Sequence, residues 1–377
     1  MGRFPGQRGV YHIGNRTNQI PGTKGYTWEE KEFCHIENST NLDGKSGRPF
    51  TILWVENRTT RYYSGDMRVP TFILEGRKVP RMIFSVRPSA SPSTSPSASP
   101  QGISLLMEKA YRMGISCFDL PSTDHLKSFR ELKNLTEDER LFGLCHVEAE
   151  EGVSFLGRPL HRFEGKIVST LKKNLFPPQL VQHLKAMGAW NSTLFFPSVS
   201  SSDVFTQKEM DRLAFDPSRF DKALSPFHPE ESPFLFLGGK YGDWILGLGR
   251  IDLLQEMALR IRGRGFIPIL SGYWATFILP KAKSIDAAAY SVPINKIWSL
   301  FDWSQSCALV KKFDRPLISA NPFADGKLLK DPEDALSFLF KELKIHGAIA
   351  EIGSEEEGET VLKAMEKFPS LIPPRKT

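Results

Sequence analysis

From Thr71 onward the chain repeats one unit, a short run of continuously apolar residues followed by a segment whose apolar residues recur at helical spacing. The runs fall at 82–86, 115–118, 141–145, 234–237, 266–270, 287–292, 317–320 and 348–352. Leu106, Ala110 and Met113 mark a helix stopped by Gly114, and Leu253, Met257 and Ile261 mark another stopped by Gly263 and Gly265. Leu336, Leu339 and Leu343 mark a third, and Val361 to Met365 lie in the last. A strand that is apolar at every position is buried on both faces, so these strands predict a parallel sheet covered by helices. Eight such units close naturally, which predicts an α/β fold of the (β/α)8 TIM-barrel class. A doubly wound open sheet is the alternative.

The same pattern sets the domain limits. Residues 1–66 are rich in Gly, Asn, Thr and Arg, carry one short apolar run at 50–55, and read as a poorly ordered N-terminal extension. Residues 67–377 form the barrel domain. It opens with two short strands, 71–75 and 80–86, joined as a hairpin through Gly76, Arg77 and Lys78. Residues 88–100 are a Ser/Pro repeat, where proline removes backbone donors and serine competes for them, and so read as a loop. Residues 152–233 are too many for one helix and its connections. They read as an excursion inserted after the third barrel strand, with a helix near 178–187 and an extended piece near 194–196.

Composition excludes several classes. The net charge of +6 is dispersed, densest at Lys172-Lys173 and from Arg260 to Arg264, and does not alternate with aromatics as a nucleic-acid track would. No stretch approaches 18 uninterrupted apolar residues, so no membrane span is expected. Cys34, Cys117, Cys145 and Cys307 share no metal-ligand spacing and no CxxC pair. They read as small buried hydrophobes of a reducing compartment. The expectation is a cytoplasmic protein whose partner is a small-molecule substrate.

In a barrel of this class the site gathers at the carboxyl ends of the strands. Those ends carry Asp119, His146 with Glu148, Lys240 with Asp243, Ser271 with Tyr273 and Trp274, Asn295 with Lys296, Asn321, and Gly353 with Ser354. Each residue type also serves as a helix cap or turn former. Asp119 follows its apolar strand directly, which aims a carboxylate at the mouth as base, ligand or partner to a cation. Asp119, His146 and Glu148 together offer donors suited to a divalent ion, without the spacing of a metal motif. Lys296, between Ile294 and Ile297, would form a Schiff base with a carbonyl substrate if desolvated, as in a lyase or aldolase. The segment from Asn321 to Lys327 and the Gly353-Ser354 helix start are places for a phosphate, opposed by Glu355, Glu356 and Glu357.

Five segments carry a family resemblance: TFILEGRKVPRMIFS, KAYRMGISCFDLP, LLQEMALRIRGRGFIPILSGYW, PLISANPFADGKL and ALSFLFKELKIHGAIAEIGSEEEGETVLKAM. Their layout, discontinuous over residues 67–377, resembles the aldo-keto reductase superfamily, in which a small hairpin precedes the barrel. The resemblance implies an oxidoreductase that reduces a small carbonyl compound with NADPH, using an Asp, Tyr, Lys and His at the ends of strands two to four. Asp119 matches the aspartate. Asp124, with His125 next, stands where the tyrosine would be. Cys145-His146 takes the place of the lysine, and Gly238-Gly239, with Lys240 beside it, that of the histidine. The catalytic set read from the sequence is therefore Asp119, His146, Lys240 and Lys296. The resemblance places the cofactor along strands five to eight, hence Ser271, Asn295, Asn321, Lys327, Gly353 and Ser354. A non-catalytic binding protein on the same scaffold is the third reading.

Overall fold

The computed structural model describes residues 69–87, 100–175, 203–299 and 303–371. All lie in the second of two units into which the chain divides, Arg61–Thr377. The expected N-terminal extension, the Ser/Pro stretch from 88 to 99 and the pieces near 178–187 and 194–196 fall outside the described residues.

Two strands, β1 (Thr71–Leu74) and β2 (Arg77–Pro80), form the hairpin, turning at Glu75 and Gly76, which have φ of 46° and 81°. Two consecutive positive φ values make a tight turn whose twist matches that of the strands. The hairpin therefore ends at Pro80, and 80–86 is not one strand as the sequence suggested. Arg81 separates β2 from the first barrel strand, β3 (Met82–Val86). It is only 2% exposed and donates three hydrogen bonds of 2.9–3.0 Å to the carbonyls of Ile345, His346 and Pro369. Burial lowers its pKa to about 10.

The chain continues through α1 (Pro100–Arg112), β4 (Cys117–Leu120), α2 (Thr123–Thr136) and β5 (Phe142–Glu148). The insertion follows. It holds β6 (Val153–Phe155), β7 (Arg158–Pro159), α3 (Glu164–Leu175), α4 (Gln207–Met210), β8 (Leu213–Phe215) and α5 (Pro217–Leu224). Its three strands pair antiparallel in the order β7-β6-β8, a small sheet the sequence reading did not foresee. The barrel resumes with β9 (Phe234–Gly238), α6 (Gly239–Gly247), α7 (Ile251–Gly263), β10 (Ile267–Ser271), α8 (Ala275–Ala282), β11 (Ala289–Val292), α9 (Trp303–Lys312) and β12 (Leu317–Ser319). Then come α10 (Pro332–Ser337), prolonged by a π-helical turn (Phe338–Glu342), β13 (Gly347–Ile352) and α11 (Glu355–Met365).

Eight parallel strands close in the order β10-β11-β12-β13-β3-β4-β5-β9, with β9 paired back to β10. The ring is a TIM-class barrel and excludes the open sheet. Alternate residues divide two cores. Ile83, Cys117, Leu144, Phe234, Phe236, Ile269, Ala289, Ile318 and Ile349 point inward and meet Phe72, Leu74 and Val79 of the hairpin, which plugs the amino end. Phe84, Phe118, Leu235, Leu237, Leu270 and Ile352 point outward into the helical layer. Both faces are buried, which is why these strands lack an alternating pattern in sequence.

Candidate active site at the carboxyl mouth

Because inward positions alternate, each strand offers the mouth its last inward side chain. On β4 this is Asp119, in phase with Cys117, and on β5 they are His146 and Glu148, in phase with Leu144. Asp119 is 5% exposed. Its Oδ1 lies 2.5 Å from Nε2 of His146, whose ring stacks on Phe236 at 4.6 Å between centroids. An ionised carboxylate accepts only, so Nε2 carries the hydrogen and Nδ1 is the atom left for other chemistry. Nδ1 of His146 has no hydrogen-bond partner among the described residues. Burial works to lower the pKa of His146, but the charge and hydrogen bond of Asp119, with the charge of Glu148, outweigh it and raise the pKa above 6.5. The pair is an oriented imidazole that holds its proton more firmly than a free one.

Glu148 ends β5 and abuts Gly239. A Cβ built there would meet its Oε2 at 2.4 Å, and one on Gly238 would meet the backbone oxygen of Ser271 at 2.0 Å. The two glycines have φ of 139° and 66°, so the strand passes into α6 with no connecting loop. Surrounding protein raises the pKa of Glu148, opposed by His146 and Lys240 and reinforced by Glu150 and Glu151.

The far wall is built from α6 and the end of β10. Asp243 is 2% exposed, and its Oδ2 accepts the backbone N–H of Tyr273 at 2.7 Å. Burial raises its pKa far above the usual carboxylate range, against the backbone N–H groups of Tyr273 and Trp274, which lower it. The side chain thus fixes the turn that carries Tyr273, a phenol 40% exposed whose pKa is raised by burial and by Glu148 and Asp243. Ser271 accepts the N–H of Gly239 at 3.3 Å and donates to the carbonyl of Leu237 at 3.4 Å.

The structure brings together Asp119 and His146, but not the rest of the expected catalytic set. Lys240 turns toward the insertion, donating to Glu164 at 3.0 Å and lying over the rings of Tyr241 and Trp244. Tyr241 donates to the same Glu164 oxygen. Lys296 is ion-paired with Asp334, and that hydrogen bond raises its pKa. The desolvated amine that a Schiff base needs is therefore absent at Lys296, because a carboxylate on α10 stabilises the charged form. His125 is spent on structure. Its Nε2 donates to the carbonyl of Val86 at 2.8 Å while Nδ1 accepts from Ser122, the cap of α2. No three His, Cys, Asp or Glu side chains among the described residues converge as metal ligands. Asp119, His146 and Glu148 do not form such a set.

The residues expected to hold a nicotinamide dinucleotide are also engaged. Asn295 is fully buried and tied on both sides, accepting from the N–H groups of Ile297 and Trp298 and donating to the carbonyl of Asn321. Asn321 caps its own turn through Asp325. At the start of α11 the N–H of Gly353 donates to Glu357 at 2.7 Å and Ser354 accepts from the N–H of Glu357, a reciprocal cap. The carboxylate of Glu357 sits where a phosphate oxygen would, so these four residues do not fit a phosphate cradle. Lys327 is exposed on the loop after β12.

Glu351, inward on β13, and Arg87 form a further ion pair at the mouth that sequence reading missed. An acid inside the apolar run AIAEI was the available signal.

No family model matches this chain, and no curated protein matches it. The solved structures it resembles include several aldo-keto reductases. One from Brucella melitensis is 12% identical with a TM-score of 0.44, the likeness covering 81% of this chain and 96% of the other. The holo form of another, from Bacillus halodurans, is 12% identical with a TM-score of 0.46, covering 81% and 93%. The barrel itself is established by the strand pairing.

Proposed function

We propose that the protein is a barrel enzyme acting by proton transfer on a small carbonyl compound, with His146 exchanging the proton and Asp119 orienting it. The supporting observation is the 2.5 Å contact between Asp119 Oδ1 and His146 Nε2 at the carboxyl mouth. It fixes the tautomer and leaves Nδ1 for the substrate. A positioned imidazolium gives its proton to a carbonyl oxygen as negative charge develops there, an effect of about 10²–10⁴-fold in rate. His146→Gln, which keeps a polar side chain of similar reach but no titrating nitrogen, is expected to lower turnover of small aldehydes and ketones by about that factor. An unchanged rate would favour a scaffold that binds without catalysis.

If a nicotinamide supplies hydride, the same proton completes an oxidoreductase cycle, the reading the family resemblance favours. The cofactor would have Lys327 and the floor of the mouth, since Ser271, Asn295, Asn321, Gly353 and Ser354 are occupied by internal hydrogen bonds. Titration of the full chain with NADPH and NADP, read by tryptophan fluorescence and calorimetry, separates the two. Micromolar binding with carbonyl-dependent loss of NADPH absorbance makes it a reductase. No binding at millimolar cofactor, with His146-dependent chemistry retained, leaves an enzyme without a dinucleotide.

A further inference from the structure

Glu148 is absorbed by no hydrogen bond or salt bridge among the described residues. It stands two residues beyond His146 on one strand, so both side chains face the inside of the barrel with their Cα atoms about 6.6 Å apart. The glycine at 239 is what admits its carboxylate, because any Cβ there would strike it. The site therefore holds an oriented imidazole and an unpartnered carboxylate side by side on a rigid strand, with space cleared for the second. An acid and a base of this kind on one face of one strand are suited to moving a proton between neighbouring carbons.

Resting on the reading of His146 and Asp119 above, we infer that Glu148 is a second catalytic residue and that the substrate is an unphosphorylated α-hydroxy aldehyde or ketone, isomerised through an enediol without a redox cofactor. The Glu148 carboxylate removes the hydrogen from the hydroxyl-bearing carbon. The C–H electron pair becomes the C=C bond while the carbonyl π pair moves to oxygen, and that oxygen takes the proton from His146. The enediol then collapses the other way. Neutral His146 takes the proton of the adjacent hydroxyl, a carbonyl forms there, and the Glu148 carboxyl returns its proton to the former carbonyl carbon. No electrons are gained or lost overall, so no oxidant or hydride donor is required. The substrate class lacks a phosphate because the helix start that would hold one is filled by Glu357.

The groups facing Glu148 fit the role. His146 and Lys240 favour its anion, and Glu150, Glu151 and burial disfavour it, so its pKa lies above that of a free carboxyl. Asp243 and Tyr273 lie on the far wall, coupled electrostatically to it. A stronger base than a free carboxylate is the result.

The test is solvent-hydrogen exchange. The full chain is incubated in D2O with glycolaldehyde, D-glyceraldehyde or dihydroxyacetone, with no nicotinamide, and loss of the carbon-bound α-proton is followed by NMR against a buffer blank. Wild type is expected to exchange at least one probe above the blank. Glu148→Gln, isosteric and therefore compatible with Gly239, is expected to slow exchange at least 100-fold, as is His146→Gln. Glu148→Asp, which retracts the carboxylate by one methylene, should recover part of the rate, as a residue held only for packing would not. Exchange by Glu148→Gln equal to wild type, with His146→Gln inactive, overturns the role of Glu148 and leaves the His146–Asp119 reading intact. Exchange of no probe by wild type overturns the isomerase inference. If wild type then reduces the same compounds with NADPH in a His146-dependent way, the earlier reading still stands. Exchange unaffected by His146→Gln defeats both.

Discussion

Asp119 and His146 show how one pair of side chains sets a property of the site. Burial alone would depress an imidazole, as it does His346, which has Arg81 beside it instead of a carboxylate. At His146 the Asp119 charge and hydrogen bond reverse that direction. Asp119→Asn keeps the shape and removes the charge. The His146 pKa, followed by NMR of the ring protons, is then expected to fall below its wild-type value as burial prevails. The sign for stability follows by linkage. A folded pKa raised above 6.5 gives stabilisation that is fully present below pH 6.5 and is lost as pH rises through the folded value. The destabilisation caused by Asp119→Asn should therefore be larger at pH 6 than at pH 9 in chemical denaturation. Equal losses at both would show that the pair is not ionic. Of this the sequence displayed both residues, Asp119 closing one apolar run and His146 just past another. It did not display their pairing, because β5 runs to Glu148 and carries His146 inside a strand that hydropathy ends at Cys145.

At the scale of elements the junction between β9 and α6 is the least forgiving place. A β-carbon on Gly238 would lie 2.0 Å from a backbone oxygen, which cannot swing away, and one on Gly239 would lie 2.4 Å from a carboxylate, which can. Both positions have positive φ, which costs an alanine on the order of 1–2 kcal/mol before any clash. Gly238→Ala should thus destabilise well beyond that figure and reduce soluble yield. Gly239→Ala should cost about that figure, fold, and lower any activity that needs Glu148 while the His146 titration keeps the upward shift that Asp119 gives it. Denaturation curves of the two variants and one NMR titration decide it, and equal stabilities would refute the argument. This junction was illegible in sequence. A helix entered directly from a strand shows no turn residues apart from the glycines, so Lys240 and Asp243 read as loop residues aimed at the mouth. They belong to α6, where one faces the insertion and the other braces the Tyr273 turn. The sheet β7-β6-β8 escaped for a related reason, its strands being only two or three residues long.

At the scale of the molecule the barrel was readable because eight doubly buried strands leave eight apolar runs, and every run fell on a strand. The cofactor places were not, because Asn, Gly and Ser past a strand end look alike whether they bind a ligand or cap their own backbone. Such a barrel also separates its ends, chemistry at the carboxyl face and stability at the amino face. Here Phe72 tests the separation. It is 1% exposed, sits on the hairpin plug, and closes the inner core from below with Leu74 and Val79. It also contacts the strand opposite, since a Cβ on Gly347 would lie 2.9 Å from its ring. Phe72→Ala removes a buried ring that rigid strands cannot collapse around, at an expected cost of 3–5 kcal/mol, roughly the range for buried aromatics. Its effect at the mouth should be nil, because the inward residues of the barrel wall stand between the plug and His146. The outcome sought is a large loss in denaturation free energy together with an unchanged His146 pKa and unchanged proton exchange at saturating probe. A shifted His146 titration would mean that the plug and the mouth are mechanically coupled, and that the inner core does not insulate one end of this barrel from the other.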